Sequence, residues 1–421
     1  MRVSVPSRAV ATALILVGGL VTLSPPSARA AGTTYFVATS GSDAVSCPAN
    51  ASAAPFATIQ RALACAGEGD VISLAAGSKA YPGVGTVTAG VTIEGPSART
   101  TSVDAGRGEL TVSPGAEVTV SGVTLKCQTN CAGAPTVTDE GSLVLSGDTV
   151  SGNTGIPTSA ILATTPAGSA TPAALTIADS TVFGNDSHYG GGVQTNTGAG
   201  ATGASTATIT DSTIAGNVAL GQGGGIAALA TAPGSQVTIT GSTITANTGT
   251  TAGGGLYASS PVSLSNTIIA ANTVHGGGAT DCQSSSGGSL ITDGPGGHNL
   301  IGNAAGCGAI TPGLPAGDQT GATHPGLLTL ANNGGPTNTV ALQSASPAIA
   351  AGDPATCASG ATANLDQRGH TRVTATRGCD VGAFDSAGKG VVHARYFVAP
   401  SGSDGVACAA NRATAPFATV Q

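Results

Sequence analysis

Apolar and polar residues repeat along the middle of the chain at fixed distances from a recurring asparagine. Successive asparagines are 25–32 residues apart, and an aliphatic residue stands eight and three positions before each of them. The segments between are rich in Val, Ile and Thr and alternate apolar and polar positions, which is typical of β-strands, without a helical pattern. A period of this length built from short strands predicts an all-β solenoid. The five asparagines are Asn153, Asn185, Asn217, Asn247 and Asn272.

Stacked coils of such a solenoid pair strand on strand in parallel, at roughly 4.8 Å. Equivalent residues then form ladders, with aliphatic side chains inside and Thr and Ser outside. The asparagines are predicted to form a structural ladder at an inward-facing turn, hydrogen-bonded between coils. Three Gly triplets, Gly190–Gly192, Gly223–Gly225 and Gly253–Gly255, lead into an aliphatic residue. Because they lie between strands, they indicate tight turns or a close approach of coils rather than phosphate-binding loops.

The solenoid is expected to begin with a short amphipathic helix. Phe56, Ile59, Leu63 and Cys65 stand at roughly helical spacing within residues 54–66, and the first strand is predicted to follow from Asp70. A helix at this place would cover the open end of the solenoid and blunt its edge.

The N-terminus is typical of a signal peptide. Arg2 and Arg8 flank a short basic region, residues 9–23 are apolar, and Ala28-Arg29-Ala30 offers a cleavage site. Cleavage after Ala30 would leave no stretch apolar enough to span a bilayer. Export also permits disulfide bonds.

Nine cysteines are present, and sequential pairing is favoured because contacts in a solenoid are local. The predicted pairs are Cys47–Cys65, Cys127–Cys131, Cys282–Cys307 and Cys357–Cys379. Cys408 is left over. Residues 396–421 align without a gap with residues 35–60, matching at 18 of 26 positions, and Cys408 falls on Cys47. We therefore expect residues 396–421 to be the truncated start of a second copy, and Cys408 to be unpaired within the chain.

Several motifs resemble known bacterial β-helix proteins. The opening YFVATSGSD…APFATIQRALACAGEGDVISLAAG resembles the start of pectate-lyase-like β-helix proteins, and the repeats resemble those of polymorphic outer-membrane proteins. The stretches HNLIGNAAGCG, NNGGPT, SPAI, DQRG and CDVGAF, between His298 and Phe384, resemble the choice-of-anchor Q domain. The resemblance implies a right-handed, single-stranded parallel β-helix on an exported bacterial protein, and it carries over no catalytic residues.

These features divide the chain into six predicted regions. They are a signal peptide (1–30), a cap with the first coils (31–100), β-helix repeats (101–297), a choice-of-anchor Q-like module (298–385), a linker (386–395) and the second start (396–421).

Charged residues are scarce, which limits the kinds of binding and catalytic site that the chain can form. Only 8% of the residues are charged, the net charge is −7, and no Lys or Arg lies between Lys126 and Arg368. A nucleic-acid surface needs clustered cations, so that partner is not expected. β-Elimination of uronates generally needs a basic residue, and often Ca²⁺ held by several carboxylates. We find neither in the repeats, no Cys/His set of zinc spacing, and no sign of a cofactor.

The strongest catalytic candidates are Asp179 and Asp211, which hold the same place in adjacent repeats. Two carboxylates about 5 Å apart would suit a retaining glycosidase. The equivalent positions elsewhere are Gly147, Gly241 and Asn266, which favours the interpretation that all five are turn residues. On that interpretation both aspartates should be replaceable by Asn without loss of folding.

Two further groups are weaker candidates. Asp186 and His188, beside Tyr189, lie in the loop after Asn185 and could form a site with Asp179. In the C-terminal region a dense charge group is interpreted as an ion-pair network that closes the domain. Its members are Asp366, Arg368, Arg372, Arg377 and Asp380.

The sequence thus favours an exported, non-enzymatic β-helix that acts as a secreted or cell-surface stalk or adhesion module. Its partners would be surface polysaccharide or host or envelope proteins. The alternative is a polysaccharide hydrolase or lyase on the same fold. Sugar sites need stacking rings as well as polar groups, and Phe183, Tyr189 and Tyr257 are the aromatic residues available in the repeats.

Overall fold

A computed structural model of the chain describes residues 32–107, 109–127, 134–155, 158–275, 281–285, 290–308, 317–359, 362–372 and 378–387. The predicted signal peptide, the second start with Cys408, and the partner Cys131 of Cys127 lie outside these ranges, as does Arg377. No helix in the described residues is long and apolar enough to cross a membrane.

Within the described ranges, the chain winds repeatedly through three long parallel sheets. The first sheet contains Thr34–Val37, Val71–Leu74, Thr92–Glu94, Glu117–Ser121, Ser142–Ser146, Ala173–Ala178, Ser205–Thr210, Gln236–Thr240, Val262–Ser265 and Ile291–Asp293. The second contains Ser102–Asp104, Thr124–Lys126, Thr149–Ser151, Thr181–Phe183, Thr213–Ala215, Thr243–Thr245, Ile268–Ala270, Leu300–Ile301 and Gln319–Thr320. The third contains Gly85–Val87, Leu110–Val112, Val137–Asp139, Ile161–Thr165, Val193–Thr197, Ile226–Ala228, Leu256–Ala258 and Cys282–Ser284.

Shorter elements complete the described part of the fold. A small fourth parallel sheet contains Asp186–Ser187, Val218–Ala219, Thr248–Gly249 and Thr273–Val274. Leu327–Ala331 and Thr339–Leu342 form an antiparallel hairpin. The helices are Ile59–Leu63 and Pro354–Cys357, with 3-10 turns at Cys47–Ala49 and Ala105–Arg107.

The strands stack in register, which confirms the predicted parallel β-helix. Ile177 pairs with Leu145 on one side and with Ile209 on the other. These side chains are at most 1% exposed and belong to one continuous core. Successive parallel strands joined in this way are right-handed as a rule, and the arrangement fits a right-handed parallel β-helix. The second sheet continues through Gln319–Thr320, so coils extend past residue 297, where the repeat region was predicted to end.

The recurring asparagines lie one above another and are joined side chain to side chain. Asn185 Nδ2 donates to Asn217 Oδ1 at 2.8 Å, and Asn217 Nδ2 donates to Asn247 Oδ1 at 2.9 Å. The same bond joins Asn153 to Asn185 and Asn247 to Asn272. From Asn185 onward, each side-chain oxygen also accepts the backbone N–H of the preceding asparagine, as Asn217 Oδ1 does from Asn185 at 3.1 Å. The column therefore satisfies buried turn amides that no strand can reach.

The Gly triplets mark places where neighbouring coils approach too closely for a side chain. A Cβ at Gly191 would lie 2.2 Å from the carbonyl oxygen of Gly224, and one at Gly224 would lie 2.3 Å from that of Gly254. Glycine is required there by contact between coils, as the position of the triplets between strands predicts.

A short helix packs on the first coil, as predicted, but it spans Ile59–Leu63 rather than most of 54–66. Thr58 ends the preceding extended segment and caps the helix by accepting the N–H of Arg61 at 3.2 Å. Ile59 and Ala62 are fully buried with Phe56 in the main core. The helix thus extends the hydrophobic interior at the N-terminal end.

Three of the four predicted disulfides are confirmed. Cys47–Cys65 ties the loop before the helix to the residues after it, and Cys282–Cys307 joins segments of the last coils. Cys357–Cys379 lies in the C-terminal region. The predicted Cys127–Cys131 pair involves Cys131, outside the described residues.

An unexpected carboxyl group lies in the aliphatic interior. Asp139 pairs in register with Val112 and Ala163 and is 0% exposed. Its Oδ1 accepts the N–H of Gly141 at 3.0 Å, and its Oδ2 has no hydrogen-bond partner. Burial, opposed in part by the Gly141 hydrogen bond, raises the pKa of Asp139 to about 7. The neutral acid is therefore the form that suits the fold.

This burial predicts a pH dependence. Because the folded state holds the Asp139 proton up to about pH 7 and the unfolded chain releases it near pH 4, stability should fall as pH rises through that window. The slope would be at most about 1.4 kcal/mol per pH unit. Asp139→Asn, which copies the neutral form, should flatten it. Urea unfolding of both proteins between pH 4 and 8 measures this, and equal slopes would contradict the assignment.

Candidate functional site

One residue per coil adopts a left-handed conformation at the corner between the first and second sheets. Its φ is 52° at Asp179 and 45° at Asp211. Gly147, Gly241 and Asn266 hold the same place with φ of 65°, 58° and 47°. Gly, Asn and Asp enter this conformation more readily than other residues. The corner therefore explains why these residue types recur.

The corner brings Asp179 and Asp211 into adjacent coils, but their surroundings differ. Asp211 is 3% exposed, and its Oδ1 accepts a hydrogen bond from Arg372 Nη2 at 2.6 Å. Burial raises the pKa of Asp211, and the Arg372 guanidinium opposes this. Asp211 is thus one half of a buried ion pair with the C-terminal region. The prediction that Asn could replace Asp211 did not include this second role.

Arg372 is buried, and several of its guanidinium N–H groups donate hydrogen bonds. It is 1% exposed and is the largest fully buried side chain in the described part of the chain. Its Nε donates to the carbonyl of Leu365 at 2.6 Å, and its Nη2 also donates to that of Gly241 at 3.2 Å. The interpretation of the C-terminal charges as an ion-pair network that closes the domain did not anticipate that Arg372 pairs with Asp211 of the repeats. It holds for Arg368, which pairs with Asp366 at 2.6 Å.

Asp179 faces a small cleft instead. The cleft has a volume of about 300 Å³ and is lined by Asp179, by Asp366 and Arg368, and by serines at the same corner. Burial raises the pKa of Asp179 to about 6, with Arg372 lowering it and Asp366 raising it. Arg368 is committed to Asp366 and lies over the Phe384 ring at 3.7 Å. Asp179 is thus a half-buried carboxyl group without an ion pair among the described residues.

The loop candidates do not join this cleft. Asp186, His188 and Tyr189 are exposed, and the His188 and Tyr189 rings meet edge to face at 4.4 Å. Asp186 lies beyond the far end of strand Thr181–Phe183, whose three residues alone span about 10 Å. The combined site of Asp179 with Asp186 and His188 is therefore not assembled.

A C-terminal segment covers the same corner along successive coils; we call residues 332–359, 362–372 and 378–385 the docking segment. Near one end, Arg99 Nη2 donates to the carbonyl of Thr337 at 2.9 Å, and Thr337 Oγ1 donates to that of Asp179 at 3.0 Å. At the other, Asn266 Oδ1 accepts the N–H of Asp353 at 2.8 Å. The segment therefore spans coils from the one that holds Arg99 to the one that holds Asn266.

Gln367 is the central contact of this segment, and sequence reasoning did not single it out. It is 1% exposed, and its Nε2 donates to the carbonyl of Ser180 at 3.0 Å. Its Oε1 accepts from Thr213 Oγ1 at 2.5 Å in the next coil. One side chain thus bridges two coils. No spacing rule links residues this far apart in sequence.

The sequence analysis also did not predict a second polar column at the corner, although the repeated residues that form it are visible in the sequence. Directly after the left-handed residue of each coil stands a polar side chain, and most of these accept an N–H from the preceding coil, as Ser180 Oγ does from Asp148 at 3.0 Å and Ser212 Oγ from Ser180 at 3.1 Å. The same bond joins Asn299 Oδ1 to Thr267 N at 3.0 Å. We call this the corner column; its members are Asp148, Ser180, Ser212, Ser242, Thr267, Asn299 and Asp318. The repeated Ser and Thr two positions after the strands would have indicated it.

Comparison with known proteins does not identify a family for the chain. No protein-family model matches the chain, and no curated protein sequence matches it. Among solved structures it is similar to the crystal structure of pectate lyase Pel9A, at 12% identity and a TM-score of 0.42, over 84% of this chain and 96% of that one. Within the described residues, no three His, Cys, Asp or Glu side chains are grouped so as to hold a metal ion together.

Proposed function

We propose that the protein is an exported β-helix that serves as a rigid stalk or adhesion module and does not cleave polysaccharide. The observation that carries this proposal is the position of Asp179 and Asp211 in the structure. Asp211 is bound to Arg372 of the same chain at 2.6 Å, and the docking segment lies over the corner where both aspartates stand. A retaining mechanism needs two accessible carboxyl groups, and one of them is used for structure.

The repeats supply the properties that a stalk needs. Two hydrogen-bonded columns, of asparagines and of corner residues, join neighbouring coils in addition to the strand pairing. Satisfied buried networks of this kind make a structure rigid and specify one register. The three disulfides among the described residues suit an oxidising, extracellular environment. On this proposal residues 1–30 direct export, the region from residue 298 is a choice-of-anchor Q-like module, and the surface partner is a polysaccharide or an envelope protein.

The half-buried Asp179 keeps the enzymatic alternative testable. Its pKa of about 6 would suit a general acid, and Asp179→Asn retains a residue type that the corner already uses at Asn266. We expect neither the full-length protein nor this variant to release reducing ends or unsaturated uronates from a panel of neutral and acidic polysaccharides. We expect both to bind insoluble polysaccharide or cells equally.

The measurement is product release over a day, beside sedimentation of fluorescently labelled protein with the same polymers. If the wild type releases products and Asp179→Asn does not, the stalk proposal is wrong and the protein is a polysaccharide hydrolase or lyase. If neither protein sediments with any polymer or cell surface, the proposed adhesion function is wrong, and the β-helix would serve only as a spacer.

A further inference from the structure

The aliphatic ladder of the first sheet ends in a carboxylate. Leu264, its last aliphatic member, pairs in register with Asp293 in the following strand. Where earlier coils place Leu or Ile in the interior, Asp293 stands at the C-terminal end and is exposed. A charge is tolerated there because water reaches it.

The corner column also ends in a carboxylate. Asp318 follows Gly317, which has φ of 67°, just as Ser180 follows Asp179. Its Oδ1 accepts the N–H of Asn299 at 2.6 Å, the same kind of bond that Ser180, Ser212 and Asn299 supply to the coil before them. Asp318 is 7% exposed.

Asn299 brings these two ends together. Its backbone N–H binds Asp318, and its Nδ2 donates to Asp293 Oδ1 at 3.1 Å. Because Asn299 binds both aspartates, their carboxyl groups are neighbours. Both carboxyl groups are thus held in place by one residue.

The pair lacks a compensating charge. Asp318 Oδ2 is buried and has no hydrogen-bond partner, although an unpaired buried carboxylate oxygen is costly. Neither aspartate has an ion pair among the described residues, and no Lys or Arg lies between Lys126 and Arg368 in the sequence. Something positive, either a shared proton or an added cation, must complete the arrangement.

We propose that Asp293 and Asp318 bind a divalent cation, Ca²⁺, at the C-terminal end of the solenoid. Both groups offer hard oxygen ligands, which Ca²⁺ prefers, and the exposed Asp293 leaves room for the water ligands that complete its flexible shell. With two carboxylates the site is weak, with an expected Kd of about 0.1–1 mM, in the range of extracellular calcium modules. The cation would join a strand end of the first sheet to the start of Gln319–Thr320 in the second.

The test is calorimetric titration of the full-length, chelator-treated protein with CaCl₂ near pH 8, followed by thermal unfolding with and without Ca²⁺. The wild type should bind one Ca²⁺ per chain and unfold at a higher temperature in its presence. Asp318→Asn keeps the acceptor for Asn299 and removes the charge, so it should weaken binding by more than about tenfold and abolish the thermal shift. Asp293→Asn, at an exposed position, should do the same if Asp318→Asn folds poorly.

Asp148→Asn is the matched control from the same column. Its two oxygens already accept the N–H groups of Val123 and Ser146, so this variant should respond to Ca²⁺ as the wild type does. Absence of Ca²⁺ binding by the wild type would show that the pair shares a proton and would overturn the proposal. So would binding that survives in both Asp293→Asn and Asp318→Asn, or a response to Zn²⁺ alone.

Discussion

Arg372→Met should lower the free energy of unfolding by about 3–5 kcal/mol, because it leaves the Asp211 carboxylate buried without its partner. Arg372 is 1% exposed and donates to Asp211 at 2.6 Å. The lost hydrogen bonds to the carbonyls of Leu365 and Gly241 add to the cost. Methionine keeps much of the buried volume, so the charge and the hydrogen bonds dominate the change. Urea unfolding monitored by circular dichroism measures it.

A double-mutant cycle separates the ion pair from packing. Asp211→Asn alone should also destabilise, since it leaves the guanidinium unpaired, whereas Arg372→Met combined with Asp211→Asn should cost less than the sum of the two. Asp179→Asn, at the same corner position one coil earlier, makes no ion pair and should change stability by much less. Additive effects of Arg372→Met and Asp211→Asn would show that the pair does not hold the docking segment to the repeats.

The ion pair between Asp211 and Arg372 also shows the limit of what the sequence can predict. The coils, their inward ladders and the short cap could be predicted because each follows from residues within one repeat or from the offset to the next. Asp179 and Asp211 could be placed in adjacent coils by the same offset. Arg372 lies 161 residues from Asp211, and no periodicity connects them. The partner that gives Asp211 its role therefore comes from the tertiary fold.

A similar limit applies to the carboxylates at the end of the solenoid. Asp293 and Asp318 are 25 residues apart, a separation within the range of the repeat period, but the repeat offset does not connect them. Each stands in a different ladder, however, and they are neighbours because Asn299 binds both of them. Sequence periodicity predicts the interior of a repeat array well and its ends poorly. At an end, the residue type that fills each ladder position changes.

Asn217→Ala should destabilise the protein by several kcal/mol, although it removes one neutral side chain. Asn217 is 0% exposed and lies in the middle of the asparagine column. Its Oδ1 accepts both the N–H and the Nδ2 of Asn185, at 3.1 and 2.8 Å. Its Nδ2 donates to the carbonyl of Val182 and to Asn247 Oδ1, at 3.0 and 2.9 Å.

The cost arises from what the substitution leaves behind. The backbone N–H of Asn185 loses its acceptor in a place that water does not reach, at about 1–3 kcal/mol for such a group. The Val182 carbonyl loses a donor as well, and alanine leaves a cavity between coils that packing cannot close. Thr208→Ala, on the exposed outer face of the same coil, is the control and should stay within about 0.5 kcal/mol of the wild type. If Asn217→Ala unfolds at the same urea concentration as Thr208→Ala, the asparagine column contributes nothing to stability, and the repeats are held by strand pairing and aliphatic packing alone.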